Sequence, residues 1–262
     1  MAYLLVCSVA LLVSVLTFFA GFGLGTLLMP AFAVFFPIEV AIAATAVVHL
    51  ANNLFKLVLV GRQAHWPTVI AYGIPASLAA MVGALVLERT AAIPPLHTYN
   101  LGSTVHHITA VGILVAVVIA AFAVLELSPR FASLSFGRRY IAVGGLISGF
   151  FGGLSGHQGA LRSAFLLRAG LTKDQLIGTR VAGAVIVDVS RLLVYGLAFF
   201  AKDFAVLRQH GGLGLIAAAS LAAFTGSFVG SRLVKSVTLK SLQQIVGVML
   251  MVLAIALAAG LV

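Results

Sequence analysis

The stretch Gly152-Gly153-Leu154-Ser155-Gly156-His157-Gln158-Gly159 ends an apolar run, Ile141 to Leu154, and is followed by a short segment, Leu161 to Leu167. A helix needs about 20 residues to cross the hydrocarbon of a bilayer, so that segment cannot cross alone. A second break, Gly21-Phe22-Gly23-Leu24-Gly25, precedes another short apolar segment, Thr26 to Phe36. Two broken helices in matching positions imply a duplication. A residue-by-residue comparison supports it. Ala76-Ser77-Leu78-Ala79-Ala80, Gly83, Val86 and Arg89 recur 143 positions later as Ala219-Ser220-Leu221-Ala222-Ala223, Gly226, Val229 and Arg232. A shift of 134 places Gly25 on Gly159 and Thr45 on Thr179, and a shift of 135 places Val111-Gly112 on Val246-Gly247.

The composition surrounding these breaks belongs to a membrane protein. Of 262 residues, 62% are hydrophobic and 8% are Asp, Glu, Lys or Arg, where a soluble domain carries about 25% charged residues. The long apolar runs indicate helices, since barrel strands alternate polar and apolar residues. Further runs lie at Leu4 to Ala20, Ile38 to Val60, Val69 to Leu87, Val105 to Leu125, Gln175 to Phe200, Leu213 to Val229 and Leu242 to Val262. The fold expected is an all-α integral membrane protein of two internal repeats, inverted relative to each other. Each repeat is a broken, re-entrant helical hairpin followed by three transmembrane helices. Residues 1–127 form the first repeat, 128–139 a basic cytoplasmic linker and 140–262 the second.

The net charge of +10 is read here as topology and not as nucleic-acid binding, because no basic segment is interleaved with aromatics. With re-entrant hairpins, Arg62, Arg130, Arg138, Arg139, Arg232, Lys235 and Lys240 collect on one side, against Arg89, Lys202 and Arg208 on the other. That asymmetry fits the positive-inside rule, and eight plain spans would nearly abolish it. Met1-Ala2-Tyr3 lacks the positive start of a signal peptide, so the first apolar run is expected to stay in the mature chain. The single cysteine, Cys7, excludes an intramolecular disulfide and a cysteine-based metal cluster. No metal site, cofactor or nucleotide-binding motif is expected.

Two polar stripes run through the long helices. Thr45, His49, Asn52, Asn53 and Lys56 share one face of the helix at 38–60, and Arg180, Asp188, Arg191 and Tyr195 share one face of the helix at 175–200. Each intramembrane charge costs about 2.5–3.5 kcal/mol on insertion scales, so both stripes must face protein or a water-filled cavity. Asp188 and Arg191, three residues apart, either neutralise each other or belong to a site; Asp188 is also a candidate proton-coupling group. Lys56 and Arg180 have no acidic residue within a helical turn and are candidate anion-attracting charges. Where helices restart after the breaks, at Gly23 and Gly25 and at Gly159, unpaired N–H groups and the positive dipole end suit an anion. Thr26, His157, Gln158 and Arg162 supply donors beside them, and Thr179 matches Thr45. His97, His106 and His107 are expected in a structural role at a helix-end loop, and Glu39 as a first-turn dipole partner.

Gly21 to Pro30, Gly152 to Arg162, the Thr45 and Thr179 helices and the basic joining loop together resemble the TauE/SafE family of membrane anion transporters, over nearly the whole chain. The second half departs from its pattern, with Ser155-Gly156-His157-Gln158 where more glycine is usual and Ala164 where proline is common. The resemblance implies a secondary transporter in the bacterial inner membrane that exports a small sulfur-containing anion such as sulfite or an organosulfonate. It is also compatible with a homodimer. An anion channel is the alternative that shares the same polar path. An intramembrane serine protease is a further one, because Gly153-Leu154-Ser155-Gly156 matches a Gly-x-Ser-Gly pattern; His157 and His210 are the only histidines after Ser155, and neither lies on a later helix as that chemistry needs. The topology makes a direct prediction. Cysteines introduced at Arg138 and Lys235 should be labelled from the same, cytoplasmic, side of intact vesicles; labelling from opposite sides would favour eight plain spans.

Overall fold

The computed structural model describes residues 1–17, 23–102, 104–128, 134–198, 212–233 and 239–261. Arg130, Lys202, Arg208, His210 and Lys235 lie outside them. The described chain is helical: α1 (Ala2–Thr17), α2 (Leu24–Ala33), α3 (Ile38–Val60), α4 (Trp66–Ala91), α5 (Ala110–Leu127), α6 (Ile141–Ser155), α7 (Gly159–Leu166), α8 (Lys173–Ala198), α9 (Gly212–Leu233) and α10 (Leu239–Ala258). Four stretches are long and apolar enough to cross a membrane: Ile38–Gln63, Trp66–Ala91, Ala110–Leu127 and Gly212–Arg232. Helix α8 is as long as α4, but its polar stripe lowers its hydropathy.

One short segment is not helical. His97–Leu101 (β1) and Thr104–Ile108 (β2) form an antiparallel hairpin, with His97 opposite Ile108. The apolar run that begins at Val105 is therefore a strand up to Ile108, and α5 starts only after Thr109, whose side chain accepts from Gly112 N at 3.0 Å. Gly102, with φ 65, turns the hairpin. Tyr99 donates to Ala259 O at 2.6 Å and His106 Nδ1 lies 3.1 Å from Gly260 O. Tyr99 and His106 thus tie this loop to the end of α10.

Small residues set how the helices pack. A Cβ at Gly145, Gly149 or Gly153 of α6 would collide with the backbone of Tyr72, Ala76 or Ala80 of α4, and one at Gly83 would collide with Phe150 O. Sequence numbers rise together along both helices, so α4 and α6 run parallel in near backbone contact, as small residues permit in membranes. Gly214, Gly226 and Gly230 of α9 meet Tyr3, Leu11 and Val15 of α1 in the same parallel sense. Helices α5 and α10 instead run antiparallel, Gly112 lying against Leu257 and Gly247 against Leu127. Helices α3 and α8 are also antiparallel. Gly178 sits against Val60, and His49 meets Asp188.

The α6–α7 pair turns back on itself. Phe136 N donates to Ala164 O at 3.0 Å, Gly137 bridges to Arg168, and the Phe136 and Phe165 rings stack at 4.4 Å. The chain entering α6 and the chain leaving α7 therefore lie side by side. The reversal itself is at Gly156, whose φ of 81 is accessible to glycine at little cost.

The α4–α6 contact yields a mutational contrast. Gly149→Leu should cost at least ~1–3 kcal/mol by overpacking against the Ala76 backbone, lowering the detergent melting temperature or preventing folding. Gly137→Ala, with open space around its Cβ, should melt like the parent.

Candidate functional site

Asp188 is fully buried at the centre of the bundle. Its Oδ1 accepts from Arg191 Nη2 at 2.8 Å and from Gln158 Nε2 at 3.4 Å; its Oδ2 accepts from His49 Nδ1 at 2.7 Å and from Asn53 Nδ2 at 3.1 Å. Asn53 Nδ2 is also 3.0 Å from His49 Nδ1. Because that nitrogen carries the hydrogen donated to Asp188, the amide of Asn53 is satisfied by the carboxylate. One carboxylate thereby joins α3 of the first half to α8 and the α6–α7 break of the second.

Arg191 completes the break. Its Nη1 donates to Gly152 O at 3.2 Å, and the hydroxyl of Tyr195, one turn further along α8, donates to Gly153 O. Both carbonyls lie in the last turn of α6, where a helix end runs short of intrahelical donors; Gly152 O also accepts from Gly156 N at 3.1 Å. Gly25 at the other break stands against His49 and the Gly156 carbonyl, where a Cβ would lie 3.5 Å from His49 Cδ2 and 3.7 Å from Gly156 O. The two glycine-rich breaks, distant in sequence, meet at His49.

A group of basic side chains lies along the same two helices. Lys56 and Arg162 are buried, at 6% and 3% exposure. Arg162 Nη1 donates to Gln158 Oε1 at 3.0 Å, and Lys56 and Arg180 are each within electrostatic reach of Arg162. Arg180 is half-buried, and its Nε is enclosed without a hydrogen-bond partner among the described residues. His49, Asn53 and Lys56 of the first stripe thus meet the second stripe and the α6–α7 break. Tyr72 of α4 closes it from the side, its ring against Gly183 and its hydroxyl 2.5 Å from Ser148 Oγ.

The other expected site residues separate into different surroundings. Thr179 Oγ1 accepts from His65 N at 3.0 Å, fastening the start of α4 to α8. Asn52 Oδ1 accepts from Ser227 Oγ of α9 at 2.7 Å. Thr45 is buried with its hydroxyl unpartnered among the described residues. Gly23, with φ 113, precedes the first turn of α2. Thr26, His157 and Gly159 line a small cavity with Phe122, Glu126, Ala160 and Leu250. Neither Glu126 nor Tyr72 stands out as a site residue from the sequence alone. Ser155 Oγ donates to Phe151 O at 3.1 Å, and His157 Nδ1, 3.2 Å from that Oγ, lies closer to Ser155 O at 2.9 Å. The nearest imidazole nitrogen is thus turned to a carbonyl, a poor arrangement for taking a serine proton.

A sequence model for the family described as sulfite exporter TauE/SafE matches residues 6–257. The chain belongs to this family. No curated protein and no solved structure matches it. The expected resemblance therefore holds over nearly the whole length. This TauE/SafE chain is a multi-pass membrane protein of a transporter family.

The Asp188 network makes a stability prediction. Arg191→Gln removes a charged partner from a buried carboxylate and a donor from Gly152 O, and breaking such a pair costs about 3–5 kcal/mol. Melting in detergent should show that loss, and Asp188→Asn combined with Arg191→Gln should recover part of it. No recovery would mean that the two side chains do not act as a pair.

Proposed function

We propose that this protein is a secondary transporter that exports small sulfur-containing anions, sulfite foremost, across the bacterial inner membrane by alternating access. The observation that carries the reading is the charge arrangement at the centre of the bundle. Lys56 and Arg180 each lie within electrostatic reach of Arg162. The carboxylate nearest them, Asp188, is already shared among His49, Asn53, Gln158 and Arg191. Burying cations in a membrane is costly, and an anion bound beside them would lower that cost.

The substrate contacts follow from the same arrangement. Arg180 and Lys56 draw the anion in, and Arg162 and the first turn of α7 receive its oxygens. A helix start is a ready anion site because its N–H groups and dipole point at the ligand. The backing of α6 by Arg191 and Tyr195 holds the break open to that start.

The packing pattern supports two inverted repeats, 1–127 and 140–262, joined by 128–139. Helices α1 and α6, α3 and α8, α4 and α9, and α5 and α10 are the corresponding pairs. The parallel contact of α4 with α6 then matches that of α1 with α9, and the two antiparallel contacts, α3 with α8 and α5 with α10, each join a helix to its own counterpart. That is what an axis in the membrane plane produces. The adjacency of Phe136 to Ala164 supports a re-entrant α6–α7 hairpin. Arg62, Arg138, Arg139 and Lys173 all lie where α3 ends and α4, α6 and α8 begin, whereas Arg89 lies at the far end of α4, in keeping with a basic cytoplasmic face.

The test is flux into sealed liposomes with sulfite, organosulfonates, sulfate and carboxylates, with and without a pH gradient. Saturable sulfite or sulfonate flux is expected; flux that stays linear in concentration would indicate a channel, and no anion flux above protein-free liposomes would overturn the reading. Arg180→Gln should weaken sulfite binding by about 1.5–3 kcal/mol, the range for a charged hydrogen bond, with an unchanged melting temperature.

A further inference from the structure

Glu126 ends an apolar helix and yet is buried, with 7% of its surface exposed and its Oε2 unpartnered among the described residues. It lines the small cavity between α5, α10 and the two breaks, one helical turn after Phe122. Across that cavity is His157, 3% exposed, whose Nδ1 is taken up by Ser155 and whose Nε2 has no partner among the described residues. The Phe122 and His157 rings lie 5.7 Å apart. Thr26 in the first turn of α2, and Gly159 and Ala160 opening α7, complete the polar side of the cavity, and Leu250 of α10 closes it. Glu126 and His157 are the titratable side chains that line it.

Asp188 and Glu126, the buried carboxylates among the described residues, are held in opposite ways. Asp188 has both oxygens engaged, by a guanidinium among other donors, so giving it a proton would break an ion pair. Neither state of Glu126 is locked. As a carboxylate it faces two helix starts, which favour negative charge; as an acid it avoids the penalty of an unpaired charge in the membrane interior. A group that must load and unload once per cycle needs this balance.

We propose that Glu126 is the proton-carrying group of the transporter, loading from water on one side of the membrane and unloading on the other, with His157 the second titratable group lining its cavity. The proton enters as one O–H bond on the Glu126 carboxylate and leaves by its cleavage, with no redox change. Its place in coupling rests on the transport reading above, but its protonation can be measured without any transported anion.

The experiment has two arms on the full-length protein in lipid. In the first, infrared difference spectra are followed through a pH titration. The wild type should show a buried carboxylic-acid C=O band that titrates, that Glu126→Gln removes and that Glu126→Asp retains at a shifted position. In the second, sulfite flux is measured with and without an imposed pH gradient. The ratio of the two, well above one for the wild type, should fall to one in Glu126→Gln. A band that persists in Glu126→Gln, or its absence from the wild type, would overturn the assignment; should Glu126→Gln fail to fold, the wild-type and Glu126→Asp spectra still decide it. Disappearance of the band in sodium chloride but not in choline chloride would overturn it in favour of a cation site. A titrating Glu126 band with no sulfite flux in the wild type would preserve the proton site and discard the transport reading.

Discussion

The constraint on which the rest of this structure depends is the sharing of one buried carboxylate between two halves of the chain. Asp188 takes His49 and Asn53 from α3, and Arg191 and Gln158 from its own half. Four donors to one carboxylate compensate for removing its charge from water. The geometry that results is specific. Helices α3 and α8 must cross at His49 and Asp188, and the α6–α7 break must present Gln158 at the same point. Arg191 reaches past Asp188 to the Gly152 carbonyl in the last turn of α6, so the ion pair also stabilises an interrupted helix within the membrane.

Such an arrangement is reachable only because the surrounding helices approach closely. Gly145, Gly149 and Gly153 place α6 against the backbone of α4, Gly183 admits α8 to Tyr72 of α4, and Gly178 admits it to the end of α3. Apolar burial gives little drive for helices to associate in lipid, so close van der Waals contact and polar links between helices carry that role. Ser77 with Ser190 and Asn52 with Ser227 are links of this kind. The same economy explains why the basic residues gather in one place. The sites that admit a charge are those next to a helix start, a carboxylate or a passing anion.

Much of this was legible in the sequence because it depends on local periodicity. The two polar stripes, the two glycine breaks and the family follow from spacing and motif, and the pairing of Asp188 with Arg191 was one of two readings their spacing left open. What was not legible depends on contacts between distant segments. No spacing within α3 reveals that His49 meets a carboxylate 139 positions away, or that Thr179 accepts from His65. Glu126 stood at the edge of an apolar run, where a charge normally marks a helix end in water, and only the packing of α5 against α10 and the breaks encloses it. The hairpin at 97–108 was hidden because Val105 and Ile108 merge with the apolar residues of α5, and its strands hold in part through Tyr99 and His106 on the end of α10.

The central claim is that the anion sits beside the Asp188 network and not in it, against Arg180, Arg162 and the start of α7. The most direct measurement is an anomalous difference map from crystals grown with selenite as a heavier analogue of sulfite. The account predicts a selenium peak bordered by Lys56, Arg162 and Arg180, with the Asp188 and Arg191 pair intact. A peak found only at the surface arginines Arg138 and Arg139, or one that replaces Asp188 as the partner of Arg191, would contradict it.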